Sequence, residues 1–123
     1  MTVAYQSSMQ QGPRTKNVPV EMINVVATIR GTTDPDRIYI ATGHYDSINS
    51  EVMNATLDAP GADDDASGVA VIMELARVLS RHPLDATVML AAVQGEEQGL
   101  LGSRGSGRRS GGQEVERGGD DHE

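Results

Sequence analysis

Three clusters of imidazole and carboxylate side chains stand out in this chain because together they could bind a metal ion. His44 is followed two residues later by Asp46, three aspartates form the run 63–65, and Glu96 and Glu97 are adjacent. Imidazole nitrogen and carboxylate oxygen are zinc ligands, and a carboxylate beside a metal-bound water can act as a general base. The clusters therefore supply the groups needed to hold divalent zinc and to move a proton next to it.

Each cluster also has an ordinary explanation. His44 could be a loop histidine near a surface acid, and the run 63–65 could be a solvated acidic stretch that caps a helix. Glu96 and Glu97 could simply open the next helix, and short motifs taken singly are weak evidence. A calcium loop is a further option for 63–65, but the alternating Asp-x-Asp-x-Asp-Gly pattern is missing. His82 and His122 are assigned no role.

The hydrophobic pattern predicts the elements that carry these clusters. Residues 20–30 and 37–42 are rich in β-forming residues, and the turn-rich connection between them indicates two antiparallel strands. Apolar residues recur at helical spacing over 66–81. Residues 85–93 form a continuous apolar run, typical of a strand buried on both faces.

The order strand, loop, helix, strand from 37 to 93 indicates a crossover unit with parallel strands. His44 and the glutamate pair then follow the carboxyl ends of two parallel strands, and the aspartate run precedes the helix between them. Open α/β sheets bind ligands at that edge. The predicted fold is α/β, a partial mixed but mostly parallel sheet with a crossover helix, in which the three clusters converge.

Composition limits the possible functions. The 123 residues suffice for one domain, and a core without Phe or Trp must be aliphatic. A net charge of −8 argues against nucleic acid or an anionic membrane as partner. The absence of cysteine excludes disulfides and thiolate metal sites. There is no apolar run of the roughly 20 residues that span a bilayer, and no signal peptide is expected at 1–11, so the compartment stays undetermined.

Three segments follow from the distribution of residue types. Residues 1–19 are a polar lead-in with room for one short strand, and 20–103 hold the predicted domain. Residues 104–123 contain six glycines, four arginines, five acidic residues and one large apolar residue, Val115. Such a composition cannot bury enough surface to offset the entropy of ordering, so we expect a disordered C-terminal tail.

Three motifs, in this order, resemble the M28 family of zinc aminopeptidases. They are Gly43-His44-Tyr45-Asp46-Ser47, Ala59-Pro60-Gly61-Ala62-Asp63-Asp64-Asp65-Ala66-Ser67-Gly68 and Gly95-Glu96-Glu97-Gln98-Gly99-Leu100-Leu101-Gly102-Ser103. Asn24-Val25-Val26-Ala27 also resembles that family. The resemblance implies the α/β fold of zinc-dependent exopeptidases and two zinc ions that share a bridging carboxylate. It also implies a peptide or small amide substrate, with removal of N-terminal residues, and many members are exported.

The same resemblance implies a role for each candidate residue. His44 looks like the ligand of one zinc, Asp64 like the bridging ligand, and Glu97 like a ligand of the second zinc. Glu96 looks like the general base that takes a proton from the metal-bound water. Asp46 looks like the partner that orients His44, as metal-bound histidines usually require. The peptide bond between Asp64 and Asp65 is expected to be cis, as in relatives.

The chain departs from the family pattern after Ser103. The family has a further Asp on a following strand and a late His, which Asp120, Asp121 and His122 do not match. Each zinc would keep two protein ligands where catalytic zinc has three, and a sheet edge would stay open. We expect a fragment that is inactive alone, from a frameshift or mispredicted gene end. The alternatives are a non-catalytic metal-binding or interaction module with a half-site, or an acidic α/β domain without a metal role.

Overall fold

A computed structural model describes residues 1–107 as a four-stranded mixed sheet with one long helix against it. The strands are β1 (Thr2–Gln10), β2 (Val20–Ile29), β3 (Asp34–His44) and β4 (Ala86–Val93). The helices are α1 (Ser67–Leu79) and α2 (Leu101–Gly107), with a 3-10 turn at Pro13–Thr15 and a single π-helical turn at Ala62–Ala66. The predicted central helix and the predicted buried strand are both confirmed, within about two residues at each end.

The strand order is β1-β2-β4-β3, and this corrects two expectations. β2 and β3 were predicted to be neighbours, but β4 lies between them. They run in opposite directions and do not pair with each other. One pairing, β3 with β4, is parallel and two are antiparallel, so the sheet is mixed but not mostly parallel. β4 inserts between β2 and β3, with β2 antiparallel on one edge and β3 parallel on the other.

The core lies on both faces of β4. Ile72 of α1 packs against Val88 and Leu90 on one face, together with Ile29 of β2. Residues alternate between the faces of a strand, so Ala91 and Val93 pack on the other face, where Val26 joins them. Burying β4 in this way fixes the position of the residues that follow Val93.

Both ends of the described chain contain more structure than predicted. The lead-in contributes the nine-residue strand β1, which pairs with β2 along its whole length. Helix α2 includes residues 104–107, the first four of the predicted tail. The rest of that tail lies outside the described residues. Within residues 1–107, every helix is too short or too polar to cross a bilayer.

Candidate metal centre

His44 lies at the last position of β3, opposite Val93 at the end of β4, and its ring is buried. The Nδ1 atom lies 3.0 Å from the backbone oxygen of Asp46, and the Nε2 atom lies 2.9 Å from Oδ1 of Asp64. A carbonyl oxygen can only accept, so the ring carries a proton on Nδ1. The Asp46 carboxylate is 3.7 Å from Nδ1, so the carbonyl of Asp46 orients the ring.

The Asp46 carboxylate instead binds the turn after β4. Its Oδ1 accepts from the backbone amides of Gly95 at 2.9 Å and Glu96 at 3.3 Å, and its Oδ2 accepts from the amide of Glu97 at 3.2 Å. Amide donors of this kind stabilise a carboxylate without neutralising it. Asp46 therefore joins the histidine segment to the glutamate pair.

The three consecutive aspartates have different surroundings. Asp65 points inward, where its Oδ2 accepts from the His44 amide at 3.1 Å and its Oδ1 accepts from the Gly68 amide at 2.9 Å. Asp64 extends toward the His44 ring with a side chain that is 80% exposed. The peptide bond between Asp64 and Asp65 is cis, as the resemblance led us to expect. The turn thus presents one carboxylate to the site and uses the next to join β3 to α1.

The glutamate pair faces the same histidine. His44, Glu96 and Glu97 each offer one ligand atom, and these atoms all lie within 4.8 Å of one another. The Glu96 carboxylate is 4.0 Å from Nε2 of His44. Oδ1 of Asp64 also contacts this Nε2 atom, which places the Asp64 carboxylate beside the group. The structure therefore brings together all five residues that the sequence singled out.

The charges of this group shift two pKa values. Burial lowers the pKa of His44, but the Asp46 carbonyl, the Asp64 carboxylate and the negative charges of Asp46 and Glu96 outweigh it, so the net pKa is raised. Burial and repulsion from the carboxylates of Asp64 and Glu96 raise the pKa of Glu97. Negative charge contributes to both shifts, and a cation at this position would reduce that contribution.

These residues fit a zinc ion. When His44 is neutral, its one ring proton is on Nδ1 and is donated to the Asp46 carbonyl. The lone pair of Nε2 then points toward Oδ1 of Asp64. Two acceptors 2.9 Å apart repel one another unless a proton or a cation lies between them. Zinc binds imidazole nitrogen and carboxylate oxygen at about 2.0–2.2 Å, so ligand atoms of one ion are at most about 4.3 Å apart. The 2.9 Å separation between Nε2 of His44 and Oδ1 of Asp64 meets that limit, and the Glu96 carboxylate lies beside this pair at 4.0 Å from Nε2.

An open groove of about 390 Å³ runs beside the histidine. Its lining includes Tyr45 and Ser47 together with the α1 residues Val69 and Met73. The groove therefore gives a molecule from solution access to the buried ring of His44.

Three residues near the site were not assigned a role from the sequence. Asp65 belongs to the aspartate run 63–65, from which the family resemblance assigned a role to Asp64 alone. Asn24, buried in β2, binds the segment around the glutamates, and a lone amide within an apolar strand is a signal that could have found it. Arg14 donates to the backbone oxygen of Glu97 at 2.6 Å from the lead-in, and no sequence pattern indicates this contact.

Comparison with known proteins gives a consistent family match. The model of peptidase family M28 matches residues 24–115. A probable zinc metalloprotease of Leptosphaeria maculans is 53% identical over 103 residues, which are 84% of this chain and 24% of that protein. A probable zinc metalloprotease of Pyricularia oryzae is 59% identical over 85 residues, 69% of this chain and 17% of that protein. The chain thus spans about a quarter or less of the length of these relatives.

Solved structures show the same fold at low sequence identity. A glutaminyl cyclase from an Acidobacteriales bacterium superposes with a TM-score of 0.72 and 20% identity, over 87% of this chain and 37% of that one. A glutaminyl cyclase of Bacteroides thetaiotaomicron gives a TM-score of 0.59 and 16% identity, over 77% of this chain and 33% of that one. At these identities the likeness concerns the fold alone.

Proposed function

The chain belongs to peptidase family M28, and from this premise we propose that it carries part of the active site of a zinc-dependent aminopeptidase. The observation that supports the proposal most is the 2.9 Å approach of His44 Nε2 to the exposed Asp64 carboxylate, with Glu96 and Glu97 beside this pair at the edge of the sheet. The names of the relatives, probable zinc metalloproteases, favour zinc as the metal.

Three residues are the proposed ligands. His44 would hold one ion through Nε2, Glu97 would hold a second, and Asp64, whose carboxylate is exposed, would be the ligand that the two share. When bound, zinc supplies a Lewis acid that polarises a substrate carbonyl and lowers the pKa of water. Asp46 and Asp65 hold these ligands in place, because their carboxylates bind the backbone amides of Glu97 and His44.

Glu96 is the proposed general base. Its carboxylate lies 4.0 Å from Nε2 of His44, so it can reach a water molecule beside the proposed ligands. A base in this position takes a proton from the attacking water and returns it to the leaving amine. The amide of Glu96 bonds to Asp46, and this contact limits the movement of the base.

Peptides with a free N-terminus are the proposed substrates. The groove beside His44 is open, and the exposed carboxylate of Asp64 stands next to it. With Asp64 bound to zinc, the attraction of a substrate α-ammonium group would come from the acidic chain as a whole, whose net charge of −8 acts most strongly at low salt. This arrangement favours cleavage at the amino end of a peptide over cleavage within it.

We further propose that the 123 residues bind zinc but do not turn over substrate by themselves. The described residues give each proposed ion one ligand of its own plus the shared Asp64, and a catalytic zinc normally has three protein ligands. Catalysis would then need ligands from additional chain, as the greater length of the relatives suggests.

Zinc titration by calorimetry of the 123-residue chain is the first test. We expect zinc binding that His44→Ala abolishes and that His82→Ala, at an exposed histidine, leaves intact.

Aminoacyl-anilide hydrolysis is then measured for this chain and for a chimera of residues 1–103 with the rest of the Leptosphaeria protein. Activity in the chimera alone supports the proposal. Zinc binding without turnover in the 123-residue chain or in the chimera favours a non-catalytic metal-binding module. A titration that shows no zinc binding contradicts any role for a metal.

A further inference from the structure

We propose that Asn24 is a positioning residue, which clamps the two ends of the loop that carries Glu96 and Glu97. The loop, defined here as residues 94–102 and called the glutamate loop, begins after β4 and ends inside α2. This inference rests on the proposed function for its consequence, metal binding. The clamp itself consists of hydrogen bonds from Asn24 to the two loop ends, so it can be tested without metal.

Asn24 lies in the middle of β2 and is 2% exposed. Its Oδ1 accepts from the Gln94 amide at 3.1 Å, and its Nδ2 donates to the Gly102 oxygen at 3.0 Å. The second Nδ2 hydrogen is directed to the hydroxyl of Ser106 at 2.8 Å. A single buried side chain thus bonds to the first and the last residue of the glutamate loop.

The two loop ends also bond to each other. The Gly102 amide donates to the Gln94 oxygen at 2.9 Å, so Asn24, Gln94 and Gly102 form a closed ring of three hydrogen bonds. A Cβ on Gly102 would lie 2.2 Å from the Gln94 oxygen and 2.6 Å from Oδ1 of Asn24. Glycine at 102 is therefore what allows the ring to close.

The inner side of the glutamate loop is held separately. Asp46 binds the amides of Gly95, Glu96 and Glu97. Asp46 therefore holds the interior residues of the loop, whereas Asn24 holds its two ends. With Asn24 removed, the partly buried Gln94 amide and the buried Gly102 oxygen lose a partner, and such loss is costly. The loop ends then separate more readily, and Glu97 spends less time within binding distance of the His44 site.

A purely structural asparagine would lower stability everywhere, so the control must be a comparably buried polar residue far from the loop. Thr87 meets this need at the opposite end of β4, where its hydroxyl donates to the Pro35 oxygen at 2.7 Å and accepts from the Gly31 amide at 3.0 Å. Asn24→Leu and Thr87→Val each remove one buried hydrogen-bonding group while conserving volume. The comparison separates a local effect from general destabilisation.

The first measurement is amide hydrogen exchange of the metal-free full chain, followed by NMR. We expect Asn24→Leu to speed exchange of the glutamate-loop amides by roughly tenfold or more relative to Thr87→Val, with α1 amides changed equally in both. Gly102→Ala opens the same ring from the other side and replaces Asn24→Leu if that variant does not fold. Equal exchange of the loop amides in the Asn24 or Gly102 variant and in Thr87→Val overturns the clamp.

The second measurement is zinc affinity in a double-mutant cycle with Glu97→Gln. We expect Asn24→Leu to weaken zinc binding by ~10-fold or more, as is common for residues that orient ligands. In the Glu97→Gln background the further loss should be small, because the ligand that Asn24 positions has gone. An equal loss in both backgrounds overturns positioning through Glu97. A wild-type chain that binds no zinc contradicts the proposed function, and hydrogen exchange then decides the clamp alone.

Discussion

At the scale of the residue, the adjacent glutamates Glu96 and Glu97 should show different losses when each is changed to glutamine. In the chimera described above, Glu96→Gln should lower kcat/KM by about 10²–10⁴-fold, the usual contribution of a general base, with zinc affinity preserved. Glu97→Gln should weaken zinc binding first. Glu21→Gln, at an exposed glutamate bonded to Ser7, is the control for charge. Full activity of Glu96→Gln, or a loss of zinc equal to that of Glu97→Gln, would contradict the assignment.

The raised pKa values of His44 and Glu97 predict how zinc binding depends on pH. Zinc needs the neutral imidazole and the ionised carboxylate, so protons compete with the metal. A raised pKa means that protons compete at a higher pH than they would at an unperturbed group. Apparent zinc affinity should therefore fall steadily between about pH 8 and about pH 6, a range around the ordinary histidine value of about 6.5. Titrations at several pH values check this, and a flat profile would show that neither group binds the metal.

At the scale of the element, Asp65 connects β3 to α1. Its carboxylate accepts from the amides of His44 and Gly68, so Asp65→Ala leaves two amide donors without this partner. Lost caps and unpaired donors cost about 1–3 kcal/mol, and we expect that decrease in the free energy of unfolding. Urea unfolding followed by far-UV circular dichroism suits a chain without Trp.

The neighbouring Asp63 provides the matched control for this change. Asp63→Ala removes the same charge from the same acidic run, but it is the backbone oxygen of Asp63 that accepts from Ser67, and alanine keeps it. We expect Asp63→Ala to leave the urea midpoint nearly unchanged. Equal midpoints for the two variants would mean that Asp65 does not join the strand to the helix.

Periodicity predicted α1 and β4 well, because helical spacing and a continuous apolar run are local signals. The pairing of β2 with β4 could not be predicted in the same way, because the turn between β2 and β3 carries no information about β4, which begins only at Ala86. Residue types alone could not tell Asp64 from Asp65, and only the family resemblance singled out Asp64. Their roles depend on the backbone of the turn, which places one carboxylate at the ring of His44 and the other at its amide.

At the scale of the whole molecule, the described sheet ends in two edge strands, β1 and β3. β3 pairs with β4 on one side and presents Ile38 and Ile40 to solvent, with Ile40 65% exposed. An apolar edge strand with unpaired backbone groups is a template for pairing with another chain. The expected open edge is therefore present within residues 1–107, and self-association through β3 is the predicted consequence.

Ile40→Lys tests this prediction because a lysine on an edge strand opposes strand pairing. The substitution lowers the magnitude of the net charge of −8, which by itself favours association. A higher monomer fraction in light scattering despite that change therefore has to come from the edge. Val71→Lys makes the same kind of change on α1, where the side chain is 58% exposed and the backbone is already bonded within the helix. We expect Ile40→Lys to raise the monomer fraction clearly more than Val71→Lys does, whereas equal effects would mean that general apolar exposure, not the β3 edge, drives association.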